Sequence, residues 1–328
     1  MDELVLPSPA KINLFLEIVG RRPDGYHEIE SVMQLVDLCD QVRICRSPRG
    51  IRVSVVGADL PPGRGNLAYK AAALLSETAG FHGGVHIHLE KRIPVAAGLG
   101  GGSSNAAAVL AGLNRMGALG LTRERLQELG ARLGSDVPFF LSDGLALATG
   151  RGEVLRPLRP WPQQWLVVAN PGVPISTAWA YREASSKLTE WQRQSSIQPF
   201  IADGRLAWPP SWAFNRLETV VLPHRAEVRA LKAMLLEGGA FPVLMSGSGA
   251  SVFAVVPDAP TAEGLAARVQ AQGAFAVAAT TLPANPILTP PSCGPARRSR
   301  DGDDVARRAA AMAAARPAIG AWPSGKAR

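Results

Sequence analysis

Pro94-Val95-Ala96-Ala97-Gly98-Leu99-Gly100-Gly101-Gly102-Ser103-Ser104-Asn105 runs directly into Ala106-Ala107-Ala108-Val109-Leu110-Ala111-Gly112-Leu113. Upstream, Val85, Ile87 and Leu89 alternate with His86, His88 and Glu90, the period of a half-buried strand. Downstream, the alanines with Val109, Leu110 and Leu113 have good helix propensity. Between strand and helix stand four glycines within five positions, then two hydroxyls where a helix N-cap is expected. Glycine lets the backbone turn sharply and present bare N–H groups to a ligand. A helix N-terminus adds about half a positive charge and several unpaired N–H donors. The combination is a cradle for phosphate, with a nucleotide as the expected guest. The alternative is a glycine-rich flexible linker, which seldom sits between an alternating strand and an alanine helix.

The stretch is not a P-loop, because no Gly-Lys-Ser/Thr closes it. Nor does it fit the dinucleotide fingerprint, since no acidic residue ends a following strand at the required distance. A chain of 328 residues has room for about two domains with substantial cores. Hydrophobic residues make up 47% and charged residues 19%, which fits a water-soluble globular protein. No apolar run approaches a membrane span, and Met1-Asp2-Glu3-Leu4 does not open like a secretory signal. Cys39, Cys45 and Cys293 are odd in number and unpatterned, so a reducing compartment, the cytoplasm, is expected. The formal net charge is +8, but residues 282–328 hold eight Arg/Lys against three Asp. The body therefore carries a net charge of only +3, and the basic character belongs to the tail.

Ser8-Pro9-Ala10-Lys11-Ile12-Asn13-Leu14-Phe15-Leu16-Glu17-Ile18 reads as a strand, with Lys11 and Asn13 sharing the face opposite Ile12 and Leu14. Arg21-Arg22-Pro23-Asp24-Gly25-Tyr26-His27 is a turn. Residues 31–36, 41–45 and 51–56 read as three further strands, and Asn66 caps a helix through Leu75. His82, His86 and His88 have no acidic or cysteine partner at metal-ligand spacing and read as solvent-face residues. Thr122 caps a helix through Leu133. In Gly134-Ser135-Asp136-Val137-Pro138-Phe139-Phe140 the acid stands before an apolar run, where an unpaired carboxylate is costly. An N-cap is the alternative for Asp136, but Pro138 biases Val137 away from helix, and Lys11 is the available buried partner. Strands follow at 145–149 and 166–169, then a turn and a helix carrying Trp179 and Tyr181. Residues 185–212 give no reading, and 224–237 is a helix. Met245-Ser246-Gly247-Ser248-Gly249 is a second small-residue turn, brought close either to the first loop or to a ligand, or else a simple tight turn. A helix over 262–272 and a strand over 274–279 close the chain, and disorder is expected for 283–328.

The order Pro-x-x-x-Gly-Leu-Gly-small-Ser-Ser resembles the signature of the galactokinase, homoserine kinase, mevalonate kinase and phosphomevalonate kinase (GHMP) superfamily. Four segments align in order with one of its branches. They are Pro7–Leu16 with Arg21–His27, the triple-glycine loop ending Ser103-Ser104-Asn105, Gly134–Phe140, and Ser246–Phe253. The resemblance covers about residues 5–281. It implies an α+β, two-domain fold with the active site in the cleft between domains. These are an N-terminal ATP-binding domain over 1–160 and a C-terminal GHMP-kinase domain over 161–282, before the 283–328 tail. The implied activity is ATP-dependent phosphorylation of the 2-hydroxyl of cytidine-diphosphate methylerythritol, in the non-mevalonate route to isoprenoids, with Mg²⁺ accompanying ATP.

By the same resemblance Lys11 and Asp136 match the catalytic pair, and Asn13 lies near the alcohol. Tyr26 and Tyr181 match the aromatic pair that sandwiches cytosine in that branch, with His27 and Thr177 nearby. Asn66 and Lys91 match adenine-side contacts, and Pro94 with Gly98, Leu99, Gly100, Gly101, Gly102, Ser103 and Ser104 forms the ATP loop. Residues holding the metal are not identified. The partner is a small molecule, with no nucleic acid or membrane, in a monomer or weak homodimer. The nearest rival is another GHMP-family kinase of a small alcohol, for which the Asp24-Gly25-Tyr26-His27 turn and Tyr181 have no evident use. A basic nucleic-acid-binding protein is the rival from another class. A serine hydrolase built on Ser103, His27 and Asp136 lacks the Gly-x-Ser-x-Gly elbow.

Overall fold

The computed structural model describes residues 2–61, 63–186, 196–207 and 210–289. Expectations for residues 187–195, 208–209 and 290–328 lie outside the described residues. The chain begins with two long antiparallel strands, β1 (Glu3–Arg21) and β2 (His27–Ser47), joined by the Asp-Gly turn, and a short β3 (Ile51–Val56). Next come α1 (Leu67–Thr78), β4 (Gly84–Glu90), α2 (Gly101–Met116) and α3 (Arg123–Ala131). Then β5 (Leu145–Thr149), β6 (Val154–Pro157) and β7 (Trp165–Asn170) lead to α4 (Thr177–Ser186). A two-residue hairpin pairs β8 (Ile201–Ala202) with β9 (Arg205–Leu206), and β10 (Phe214–Asn215) follows. The remainder is α5 (Glu218–His224), α6 (Ala226–Glu237), β11 (Val243–Met245), β12 (Val252–Val256), α7 (Ala259–Gln270) and β13 (Phe275–Thr280).

Two sheets organise these elements. The larger has the order β10-β1-β2-β4-β3, with β5 also paired to β2 and β6 to β5. The smaller has the order β11-β12-β7-β13, antiparallel throughout. β1 supplies apolar side chains to every core in turn. Leu4 and Leu6 enter the core under α1 and α2. Ala10, Ile12, Leu14 and Phe15 pack with Leu166, Val168 and Phe253 between the sheets. Leu16 and Ile18 join α5, α6 and α7 on the smaller sheet. Burial on both faces leaves no polar side to the middle of β1, so Lys11 and Asn13, on one face two residues apart, are 4% and 1% exposed. Residues 1–289 form one compact unit. Among the described residues no helix is long and apolar enough to cross a membrane.

Several boundaries differ from the sequence expectation. The strands expected over 31–36 and 41–45 are one strand, β2, because Asp37 and Asp40 find partners elsewhere in the fold. Asp37 accepts the Thr280 amide and hydroxyl, both at 2.7 Å, and Asp40 is enclosed by four donors. The helix expected over 224–237 starts at Ala226, since Arg225 leaves helical geometry and His224 ends α5. α3 stops at Ala131 rather than Leu133. Order continues past 283: Ile287 is fully buried in the first core, and Asn285 donates to the carbonyls of Phe140 and Ser142.

Candidate active site

The loop between β4 and α2 turns under a cavity of about 1160 Å³. α2 begins at Gly101, with Gly100 in the left-handed region at its N-cap and no side chain capping it. The expected hydroxyl cap is therefore absent. Ser103 and Ser104 lie inside the first turn, and Ser104 accepts a hydrogen bond from Ser8 Oγ at 2.7 Å. No acid stands in that turn, so the free amides and the positive helix end remain available to an anion. Gly100, Gly101, Gly102 and Ser103 line the cavity. Leu99 does not: its side chain is buried in the core, while its carbonyl accepts the Lys11 amide at 3.0 Å and ties β1 to the loop.

Close approach to the first loop is the arrangement adopted by the second small-residue turn. Ser246 Oγ donates to the Gly98 carbonyl at 3.0 Å, and the Ser251 amide to the Ala97 carbonyl at 3.2 Å. A Cβ at Gly98, whose φ is +77°, would lie 2.0 Å from the Ser246 carbonyl oxygen. Only glycine fits this contact. A Cβ at Gly247 would come within 3.3 Å of Lys11 Nζ, so the two turns flank that ammonium.

Lys11 Nζ lies 3.7 Å from Asp136 Oδ2 and donates to Asn13 Oδ1 at 2.5 Å. Asn13 in turn donates to Ser31 Oγ at 2.8 Å, which fixes its amide. Burial holds the Lys11 ammonium below its ordinary pKa, and the Asp136 carboxylate pulls it back up. The Asp136 side chain is a third exposed and opens to the cavity. A buried cation, an accessible carboxylate and a helix N-terminus thus share one wall.

Another part of the cavity lining is aromatic. The His27 and Tyr181 rings are 5.2 Å apart and tilted by 32°, and His27 Nε2 is hydrogen-bonded to Ser185 Oγ. Burial pushes the Tyr181 phenol up, and the Asp136 charge adds to this, so Tyr181 and Asp136 lie within electrostatic reach. Burial, then the charge of Arg21, holds the His27 imidazole below its ordinary pKa. Tyr26 is 54% exposed and is covered on one side by Arg151, whose guanidinium carbon is 4.9 Å from the ring centre. Thr177 Oγ1 bonds Ser248 Oγ at 2.8 Å and joins α4 to the second turn. Arg21, Arg151, Arg182 and Ser185 also line the cavity, and no sequence motif singles them out as site residues.

Asn66 and Lys91 have other partners. Asn66 is off the cavity wall: its Oδ1 accepts the Ala68 amide at 2.9 Å and its Nδ2 donates to the Pro61 carbonyl, so it caps α1 as the sequence suggests. Lys91 reaches the cavity under Gly101, and its ammonium is held by Asp40 and, at 3.0 Å, by Asn105 Oδ1. Asp40 also takes the amides of Arg92 and Ile93, and Asn105 donates to Asp40 and Ser8. This enclosed network braces the base of the glycine turn. Asp40 stands in no motif, and the roles of Asn105 and Ser8 are hidden although both lie in quoted segments, because Asp40 meets Lys91 and Asn105, and Asn105 meets Ser8, across 51 to 97 residues of chain.

A family model for the GHMP kinases N terminal domain matches residues 66–144, and one for GHMP kinases C terminal matches 198–274. The 4-diphosphocytidyl-2-C-methyl-D-erythritol kinase of Geobacter sulfurreducens is 42% identical over 86% of this chain and 100% of its own. The protein of the same name from Synechococcus sp. is 46% identical over 78% of this chain and 86% of its own. A crystal structure of 4-(cytidine 5'-diphospho)-2C-methyl-D-erythritol kinase superposes with a TM-score of 0.73 at 36% identity, covering 85% of this chain and 99% of that one. The L. major mevalonate kinase in complex with R-mevalonate, at 17% identity and a TM-score of 0.62, covers 85% of this chain and 96% of its own and shares the fold.

Proposed function

This chain belongs to the 4-diphosphocytidyl-2-C-methyl-D-erythritol kinase family of the GHMP kinases, and we propose that its cavity holds ATP and that substrate end to end. It is an ATP-dependent small-molecule kinase that phosphorylates the 2-hydroxyl of 4-diphosphocytidyl-2-C-methyl-D-erythritol, giving the 2-phosphate and ADP. The carrying observation is the Lys11–Asp136 pair, 3.7 Å apart on the wall that also presents the N-terminus of α2. About 1160 Å³ exceeds the usual range for one small ligand, as two nucleotide-sized molecules require.

The amides of Gly101, Gly102 and Ser103 receive the ATP phosphates. The cytosine stacks against Tyr26 and Tyr181, with His27 and Thr177 beside it, and Asn13 holds the alcohol end. Asp136 orients the attacking hydroxyl and takes its proton as the new oxygen–phosphorus bond forms. The bond from that phosphorus to the β–γ bridging oxygen breaks, and ADP departs with the bonding pair. The transition state is loose, so catalysis consists mainly of positioning and charge stabilisation, to which the Lys11 ammonium contributes at the transferring group. Among the described residues no three His, Cys, Asp or Glu side chains converge. That donor set suits Mg²⁺ carried in by phosphates and water, with Asp136 and Ser103 as the oxygen ligands available from the chain. When bound, the ion neutralises phosphate charge.

The proposed division is an ATP-binding domain over 1–160 and a C-terminal domain over 161–282, in a cytoplasmic monomer or weak homodimer. ADP release measured with methylerythritol, with and without its cytidine diphosphate, tests the reading. Turnover is expected only with the nucleotide-linked alcohol. Equal rates with both, or turnover only with homoserine or mevalonate, would reject the substrate.

A further inference from the structure

Where Asp136 stands depends on how its turn is held. The chain leaves it through short-range hydrogen bonds: the Val137 amide donates to the Gly134 carbonyl at 3.2 Å, Phe140 to Val137 at 3.1 Å and Leu141 to Pro138 at 3.0 Å. A run of this kind ends on carbonyls that no following turn can take. Two of them, those of Phe140 and Ser142, each accept the side-chain amide of Asn285 at 2.8 Å. Asn285 Oδ1 accepts the Ile287 amide at 3.0 Å, so both donors and the acceptor of this side chain are used. Asn285 is 3% exposed and lies off the cavity wall. The segment around it is anchored on two sides. The Leu282 amide donates to the Leu35 carbonyl on β2, and Arg115 on α2 donates to the carbonyls of Ile287 and Thr289. Residues 281–289 thus form a strap from β2 to α2 across the end of the Asp136 turn. The expectation of disorder from 283 onward hid it.

What Asn285 holds reaches the reacting groups through one ring. Phe140 is fully buried, and a Cβ at Gly100 would lie 2.7 Å from its Cζ and 3.1 Å from Lys11 Cγ. The ring therefore sits against the residue that caps α2, beside the stem of the Lys11 ammonium. Its backbone follows Asp136 by four residues in the same hydrogen-bonded run. In a close-packed interior, a shift of that backbone is passed to the groups the ring touches. We propose that Asn285 is a positioning residue for phosphoryl transfer: through the Phe140 and Ser142 carbonyls it sets Asp136, the start of α2 and Lys11 relative to one another. This role rests on the kinase reading of the cavity, and it makes turnover depend on a stretch of chain that no guest touches. Burial alone would fit a purely stabilising contact, whereas the link through Phe140 ties Asn285 to the chemistry.

The test is steady-state kinetics of the full chain, with kcat expressed per folded molecule well below the melting temperature of every variant. Asn285→Ala should lower kcat at least about tenfold, because small misplacements of reacting groups are costly in rate, while KM for ATP and for the nucleotide-linked alcohol stays within about threefold. Leu235→Ala, at a fully buried position in the core of the smaller sheet, should lower the melting temperature and leave kcat unchanged. Phe140→Leu keeps the carbonyl but withdraws the ring from Gly100. It should lower kcat, and adding Asn285→Ala to it should then cost less than Asn285→Ala costs alone. A smaller fall in kcat for Asn285→Ala, or a matching fall in Leu235→Ala, overturns the assignment, since Asn285 would then serve stability alone. A larger rise in either KM overturns it as well, because the strap would then shape binding. Losses that simply multiply in the double variant reject the route through Phe140. If Asn285→Ala does not fold, Phe140→Leu decides: an unchanged kcat there rejects the proposal. A parent protein that phosphorylates no alcohol overturns the kinase reading itself, and this role with it.

Discussion

Replacing Gly98 by alanine tests whether the contact between the two glycine-rich turns holds the site together. The residue has φ +77°, and the added Cβ would lie 2.0 Å from the Ser246 carbonyl oxygen and 3.1 Å from the Gly249 nitrogen. The left-handed conformation costs a non-glycine residue about 1–2 kcal/mol. Relieving the backbone overlap adds about 1–3 kcal/mol. The sum, roughly 2–5 kcal/mol, is a large share of the about 5–15 kcal/mol that usually separates folded from unfolded protein. At about 2–4 °C per kcal/mol the melting temperature should fall by roughly 4–20 °C. Gly102→Ala is the control. There the nearest atom is Leu67 Cδ1 at 3.7 Å, φ is not positive, and a helical alanine gains about 0.5–1 kcal/mol over glycine. Scanning calorimetry with KM for ATP separates the two variants. Gly98→Ala should lose stability and raise KM, whereas Gly102→Ala should keep or slightly raise its Tm and raise KM, because its methyl group would sit on the loop proposed to receive the phosphates. A Gly98→Ala enzyme with the parent's Tm and KM refutes the reasoning.

Asp136→Asn keeps the shape of the side chain and removes the base, so kcat should drop about 10²–10⁴-fold with KM for ATP little changed. A near-normal kcat in steady-state assays would remove Asp136 from proton transfer. Tyr26→Ala and Tyr181→Ala should each weaken the cytidine-bearing substrate by about 1–3 kcal/mol, read as a raised KM for that substrate alone. Unaltered saturation curves would dismiss the stacking role. His27 sits below its ordinary pKa chiefly through burial, so the unfolded chain binds the proton first as the solution is acidified. The stability it contributes is complete above the ordinary histidine range and is lost as pH falls through about 6.5 toward the folded value. Urea midpoints at pH 7.5 and 5.5 should therefore differ less in His27→Gln than in the parent, and parallel profiles would contradict the burial effect.

The local readings that held are those whose causes are local. Alternation over Val85, Ile87 and Leu89 reflects a strand with one face on the core, and Asn66 and Thr122 cap the helices they precede. The glycine turn was legible because its chemistry is in the backbone. What misled were polar residues whose partners are distant. Asp37 and Asp40 look like a break between strands until Thr280 and Lys91 are seen to hold them. Ser103 and Ser104 look like caps, but Ser104 is taken by Ser8 and the helix starts two residues before Ser103. Tyr26, His27 and Tyr181, which the resemblance places beside the substrate base, all line the cavity, and so does Arg151, for which the sequence holds no such expectation. An arginine after a strand has no local mark, and its position over Tyr26 depends on β5 pairing with β2.

Because β1 runs as one strand through all three cores, its passage beneath the cavity is paired strand rather than linker. Bending there would tear apart the rungs Lys11 to Leu35 and Asn13 to Met33. The place of the Lys11 ammonium is accordingly set when the protein folds, not when its guests arrive. Entry is then expected past surface turns such as Arg21–His27, which borders the cavity, while Lys11 keeps its place in the sheet.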